Sequence, residues 1–127
     1  MSNIPSGLKY VSSHEWLRLE DNSEITVGIT DYAQELLGDI VFIELPNIGV
    51  KFSAGEAVGV IESVKAASDI YIPISAKIVS VNDDLLTNPN LINTSSYDQG
   101  WIFRIKPDDI NDYDNLLNAH QYKETLS

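Results

Sequence analysis

The sequence predicts a mainly β protein, an antiparallel sandwich or flattened barrel with a short inserted helix and a C-terminal helix. Three observations predict it. Short runs rich in β-branched and aromatic residues recur along the chain, each closed by Gly, Pro, Asn, Asp or Ser. These runs do not alternate with long helical patterns, which sets aside βαβ units and a parallel sheet. Helical spacing of apolar residues shows in two places, just after Ile29 and after Pro107.

The elements follow in order. Leu8-Lys9-Tyr10 leads to a turn at Ser12-Ser13, and Trp16, Leu17 and Leu19 mark a strand. Asp21-Asn22-Ser23 turns the chain into the β-branched run Glu24 to Ile29, so the two strands form a hairpin. A short helix begins at Thr30 or Asp31: Ala33, Leu36 and Leu37 share a face, and Gly38 can close it. Asp39 to Leu45 is nearly continuous apolar, which predicts a strand covered on both faces. Pro46 to Gly49 and Ser53 to Glu56 are turns. Val58 to Ile61 and Ile70 to Ile74 are the arms of a second hairpin, and Ala76 to Val81 is the next strand. Residues 83–100 are turn-rich with short helical turns, and Trp101 to Ile105 is the last strand. Pro107 opens a helix where its missing N–H costs nothing. Asp108 and Asp109 favour the dipole of that helix, and Ile110, Tyr113 and Leu117 give it a core-facing stripe. A chain of 127 residues fits one domain, residues 1–127. Its sandwich core lies at about 8–106 and its helical segment at about 107–122.

The composition narrows the function classes. A net charge of −11 repels a phosphate backbone, so no nucleic acid is expected as a partner. It suits a soluble protein that meets partners through complementary patches. With zero cysteines there is no disulfide scaffold, thiol catalysis or thiolate metal site. His14 and His120 are far apart without ligand-like spacing, so no metal site is expected. The N-terminus Met-Ser-Asn-Ile-Pro has neither a signal core nor an Arg-rich presequence, and no apolar run reaches membrane-spanning length. The expectation is a bacterial cytoplasmic protein without membrane contact, a mature mitochondrial matrix protein being the alternative.

The chemistry-bearing stretch is Gly59-Val-Ile-Glu-Ser-Val-Lys65-Ala-Ala-Ser-Asp-Ile-Tyr-Ile-Pro73. Lys65 is the only Lys or Arg between Phe52 and Ala76, and it sits where the second hairpin turns. A lone lysine in a turn is ordinarily a solvated surface residue. No Gly-rich phosphate loop follows a strand, and no motif places a nucleophile beside either histidine. With 19 carboxylates some pair is bound to be close, so counting supports no carboxylate chemistry. No catalytic residue is assigned. A presented lysine on a small acidic β domain suits a carrier.

That stretch resembles the lipoyl-attachment hairpin of the glycine cleavage H-protein family. The likeness extends over Ser13-His14-Glu15-Trp16, Val27-Gly28-Ile29-Thr30 to Ala33-Gln34, Leu37-Gly38-Asp39-Ile40-Val41-Phe42 and Glu44-Leu45-Pro46. It continues through Val81-Asn82, Leu91-Ile92-Asn93, Tyr97 and Gly100-Trp101, so it covers nearly the whole chain. The resemblance implies a lipoyl-domain-like sandwich with lipoate held as N6-lipoyllysine on Lys65. It implies a monomeric, non-catalytic carrier. In that family a pyridoxal-phosphate glycine decarboxylase loads an aminomethyl group onto the arm. A folate-dependent aminomethyltransferase unloads it, and dihydrolipoyl dehydrogenase reoxidises the dithiol. Lipoyl-attaching enzymes are further implied partners. Glu62, Ser63, Val64, Ala66 and Asp69 form the context of the attachment hairpin. Glu62 and Asp69 either guide partners or are solvated turn acids, and Ala66 and Ala67 keep the approach open. Ser13 and Glu15 are candidates for a cleft that shelters the loaded arm, since a carboxylate and exclusion of water both protect a hydrolysable cation. Trp16 reads as core, His14 as a hydrogen-bonded turn residue, and Tyr32 and Tyr71 as core.

Two departures from the family pattern stand out. Ala76 occupies a usual glycine site, where a positive φ would cost alanine about 1 kcal/mol. Ser95-Ser96 and Asp98 flank Tyr97 in place of the usual acid-proline and glycine. Three rival readings share the hairpin: a biotinyl carrier, a lipoyl domain of a 2-oxoacid dehydrogenase, and an unmodified interaction domain. Biotinyl carriers usually place methionine on both sides of the lysine, where this chain has Val64 and Ala66. The dehydrogenase domains typically have an acid directly before the lysine and lack the Ser-His-Glu-Trp region.

Overall fold

The structure, a computed structural model, describes residues 2–126; Met1 and Ser127, the ends of the expected domain, lie outside them. Among the described residues nine strands form two antiparallel sheets. The first sheet holds six strands: β1 (Lys9–Tyr10), β2 (Glu15–Leu19), β3 (Ile25–Ile29), β5 (Lys51–Phe52), β8 (Ala76–Val81) and β9 (Phe103–Pro107), in the order β1-β2-β3-β9-β8-β5. The second holds β4 (Ile40–Glu44), β6 (Ala57–Ser63) and β7 (Ala67–Tyr71), in the order β4-β6-β7. Ile25, Val27, Ile78, Phe103 and Ile105 meet Ile43, Ile61, Ile70 and Ile72 in one buried apolar cluster. Each such side chain taken out of water contributes about 1.5–3 kcal/mol. This is the predicted sandwich with helical additions.

The inserted helix α1 (Asp31–Leu37) is built as its sequence dictates. Thr30 caps it by accepting from the Ala33 N–H, and Gly38 ends it at φ 79°. Two short helices, α2 (Asp84–Thr87) and α3 (Leu91–Thr94), occupy the turn-rich segment.

Several expectations are corrected. The strand covered on both faces is β3, buried along its whole length, and not β4. β3 lies between β2 and β9, with the Trp16 ring so close over Gly28 that an added Cβ would meet it at 2.7 Å. β4 is an edge strand with a register shift between Ile40 and Phe42, which leaves Val41 55% and Phe42 50% exposed. Leu36 is likewise exposed, so α1 packs through Ala33 and Leu37. The last strand starts two residues later than predicted. Pro107 ends it opposite Ala76 rather than opening a helix, because pairing with β8 continues to that point. The single C-terminal helix is two short ones, α4 (Asn111–Asp114) and α5 (Ala119–Thr125). Leu117 interrupts them by exchanging both backbone bonds with Tyr10, at 2.8 and 3.0 Å. Asn118 then restarts the helix with a capping box completed by Gln121. Ile110 stands just before α4 without capping it and is exposed, while Tyr113 and Tyr122 are buried.

Neither departure from the family pattern strains the chain. Ala76 opens β8, fully buried and without a positive φ, so the positive-φ cost does not arise there. Ser96 donates to the Ile92 carbonyl at 2.6 Å, and its own carbonyl accepts from Trp16 Nε1 at 3.0 Å. Ser95 Oγ accepts from the Gln99 N–H.

Candidate functional site

β6 and β7 pair from Ala57 opposite Tyr71 to Glu62 opposite Ala67, which leaves Val64-Lys65-Ala66 at the tip. Two-residue hairpin turns normally need positive φ and therefore glycine or asparagine. Neither Val64 nor Lys65 has one. Ser63 solves the turn instead. Its hydroxyl accepts from the N–H groups of Lys65 at 3.3 Å and Ala66 at 3.1 Å, while its N–H donates to the Ala66 carbonyl at 2.8 Å. The tip therefore keeps ordinary L-residues, and Lys65 is free to be one of them.

The tip is also tied to the body. The Val64 N–H donates to the Asp39 carbonyl at 3.0 Å, joining it to the junction of α1 and β4. Asn93 holds that junction from α3: its Oδ1 accepts from the Ile40 N–H, and its Nδ2 donates to Gln34 Oε1 and the Gly38 carbonyl, all within 2.9 Å. Gly38 is needed for its positive φ, and an added Cβ there would lie 3.3 Å from Lys65 Cε, the movable end of an exposed side chain. The lysine stem thus leaves the tip across the end of α1. Lys65 is exposed and, among the described residues, has no ion pair. Val64 beside it is 69% exposed.

A cleft of about 140 Å³ runs between the turn before β2, the helix α1 and strand β7. Ser13, His14, Glu15, Ala33, Leu36, Leu37, Ser68 and Asp69 are among its lining residues. The structure thus brings Ser13 and Glu15 together with Asp69, on the hairpin that carries Lys65. Glu62 faces away from it, opposite Phe42 on the β4 side, and is exposed. Glu15 is 2% exposed and accepts from the Ser13 hydroxyl. Burial pushes its carboxyl up to about 7, against the opposing pull of Ser13 and of the backbone at Tyr71 and Glu15. The cleft is otherwise apolar on the α1 side, which suits a hydrocarbon arm with one polar end.

Trp16 is core, and His14 is a hydrogen-bonded turn residue with φ 74°. Tyr32 tilts against the His14 ring with centroids 5.1 Å apart, half-buried. Tyr71 is exposed and not core. Three features of this region escape sequence reasoning: the Ser63 turn, the Asn93 clamp, and the contribution of α1 and Ser68 to the cleft. A serine two residues before a turn lysine is a usable signal for the first. The clamp depends on contacts across more than 50 positions, and the cleft on the packing of three separate elements.

Comparison with known proteins shows the family. Residues 8–127 match the family model described as glycine cleavage H-protein. The glycine cleavage system H protein of Psychrobacter cryohalolentis is 56% identical over 126 residues, covering 99% of this chain and all of its own. That of Neisseria meningitidis serogroup B is 59% identical over 121 residues, 95% of this chain and 94% of its own. The crystal structure of the H protein from Mycobacterium marinum superposes with a TM-score of 0.87 at 37% identity, covering 97% of this chain and 98% of that one. Matched along its length in sequence and in fold, the chain belongs to the glycine cleavage H-protein family.

Proposed function

We propose that the chain is a lipoyl-bearing carrier of the glycine cleavage system, with lipoate attached as N6-lipoyllysine at Lys65. It passes the aminomethyl group of glycine from the pyridoxal-phosphate glycine decarboxylase to the folate-dependent aminomethyltransferase. Dihydrolipoyl dehydrogenase then restores the arm, and lipoyl-attaching enzymes install it. The protein is a monomeric carrier and no catalyst. Its bacterial relatives support the bacterial cytoplasm as its compartment.

The observation that carries this reading is the placement of Lys65, exposed, unpaired among the described residues and fixed at a hairpin tip, in a chain that matches the family from residue 8 onward. Bound there, a lipoyl group supplies a disulfide that carries the aminomethyl unit on sulfur. The chain's own residues supply position and shelter. Ser63, Asp39 and Gly38 fix where the lysine stem leaves the sheet, so that an attaching enzyme meets it in one place. Tethering makes each transfer local once a partner has docked. Glu15 and Ser13 offer a polar floor in a cleft walled by Ala33, Leu36 and Leu37. A cationic amine entering that cleft favours the ionised form of Glu15, so the pair forms only when the cleft is loaded. Asp69 at the cleft and Glu62 on the opposite, β4-facing side of the hairpin give partners a charge pattern to recognise.

Intact-mass measurement on protein from a lipoate-replete host tests the attachment. The expected result is a lipoyl increment that disappears in Lys65→Ala. A biotinyl increment, no increment, or an increment that persists in Lys65→Ala would overturn it. For the cleft, Glu15→Gln is expected to shorten the hydrolytic lifetime of the loaded carrier; an unchanged lifetime removes Glu15 from the role.

A further inference from the structure

One buried hydroxyl joins the two walls of the cleft from outside it. Tyr122, on α5 and fully buried, places its Oη 2.8 Å from His14 Nδ1 and 2.8 Å from Thr30 Oγ1. His14 sits between Ser13 and Glu15 on one wall. Thr30 caps α1, whose Ala33, Leu36 and Leu37 form the other wall. Thr30 Oγ1 already accepts from the Ala33 N–H at 3.2 Å. The hydroxyl thus bridges the two groups, and one arrangement that uses every proton has Thr30 donating to Tyr122 and Tyr122 donating to a bare His14 Nδ1. Burial is compatible with that arrangement: it pushes the Tyr122 phenol up to about 12 and holds His14 below its ordinary value, so both groups are neutral at pH 7.

The corner needs bracing. His14 has φ 74°, a left-handed conformation that a non-glycine residue holds only when its surroundings fix it. The Thr30 N–H donates to the His14 carbonyl at 2.9 Å, so turn and helix cap are adjacent, and Tyr122 closes the third side. The Tyr122 ring is itself clamped, stacked on Tyr10 at 4.8 Å and 7°. Leu117 and Tyr10 pair their backbones just before α5 begins. The C-terminal helix thus ends its packing on the cleft's supporting corner, though it contributes no lining residue.

We propose that Tyr122 is a positioning residue for the cleft, holding the Ser13–Glu15 wall and the α1 wall at a fixed separation through His14 and Thr30. The stability of the loaded arm then depends on α5. The inference rests on the reading of this cleft as the shelter for an arm on Lys65. Exposure of the arm is read as hydrolysis, in which water cleaves the carbon–sulfur bond of the aminomethyl group and returns the thiol with formaldehyde and ammonia.

The test compares Tyr122→Phe, Thr30→Val and Tyr10→Phe in the full lipoylated protein. Tyr122→Phe keeps the stacked ring and removes only the shared hydroxyl. It is expected to shorten the lifetime of the loaded arm by about fivefold, with lipoylation of Lys65 unchanged. Thr30→Val gives a similar loss, and the double variant adds little to either. Tyr10→Phe disturbs the same aromatic cluster, loses its bond to the Pro5 carbonyl, and leaves the lifetime at the wild-type value. In the unmodified chain, Tyr122→Phe shifts the His14 ring resonances and speeds amide exchange at Ala33. An unchanged lifetime in Tyr122→Phe, or an equal loss in Tyr10→Phe, overturns the proposal. If the wild-type chain takes up no lipoyl mass, the attachment reading fails separately. The Ala33 exchange then still decides whether Tyr122 braces the two walls.

Discussion

Burial holds the Glu15 carboxyl at about 7, well above its ordinary 4.5, and the difference is a pH-dependent cost to folding. Below the unfolded value the group is protonated in both states, and there is no cost. As the pH rises from there, the unfolded chain releases the proton while the folded chain retains it, so stability falls. The loss is complete above the folded value and amounts to about 3 kcal/mol. Ser13 cannot cancel it, because one hydroxyl replaces only part of the lost hydration. Glu15→Gln keeps an acceptor for Ser13 and removes the titration. Urea denaturation at about pH 4 and about pH 8 is expected to show a gap between variant and wild type that widens in the variant's favour at the higher pH. A gap independent of pH would mean that Glu15 is hydrated in the native protein. A carboxyl retained at that cost is consistent with a role beyond packing. Its residue type and neighbours were legible in Ser13-His14-Glu15-Trp16, whereas its burial was not, since that comes from α1 and β7 folding over it.

Asn93 links α3, α1 and β4, and through Asp39 it also supports the tip of the β6–β7 hairpin. Asn93→Ala leaves the Ile40 N–H and the Gly38 carbonyl without their partner, at a cost of about 2–3 kcal/mol. The local effect is the diagnostic one: amide exchange at Ile40 and at Val64 is expected to speed up together, ahead of the strands of the larger sheet. Retained protection at Val64 would show that the hairpin holds its tip without the clamp. The hairpin and α1 were legible because their signals are local: two apolar arms around a polar tip, and Thr30 and Gly38 at the right spacing. The faces of β4 were not, because an apolar run alone does not distinguish a central strand from an edge strand. The C-terminal segment misled for a related reason. Pro107 suits a helix start, but it suits a strand end equally, and pairing with Ala76 decided between them. Helical spacing through Leu117 gave way to its two backbone bonds with Tyr10, a partner more than 100 residues away.

The same long range separates the molecule's two halves of the argument for function. The lysine proposed for attachment lies in one contiguous stretch and could be read directly. The cleft and its brace join the N-terminal turn, α1, β7 and α5, and only the folded chain assembles them. What governs the molecule as a whole is charge. It carries 19 acidic against eight basic side chains. Among the described residues the close ion pairs are Arg18–Glu20 at 3.0 Å and His120–Glu124 at 3.0 Å, the latter requiring a protonated histidine. Folding therefore gathers carboxylates closer together than the extended chain holds them, with little compensation, and the sign of the net interaction is repulsive. Raising sodium chloride from about 0.02 M to about 0.5 M shortens the screening length from roughly 20 Å to roughly 4 Å, which relieves repulsion across the surface. The melting temperature at pH 7 is expected to rise with salt, most steeply at the low end where screening changes over the spacing of surface charges. A fall with salt would mean that attractive pairs outweigh the repulsion. The same field sets how partners approach: association with a basic surface slows as salt rises, while the protein itself becomes more stable. The two opposite salt dependences, measured on one sample, separate the repulsion within the molecule from the attraction it offers to others.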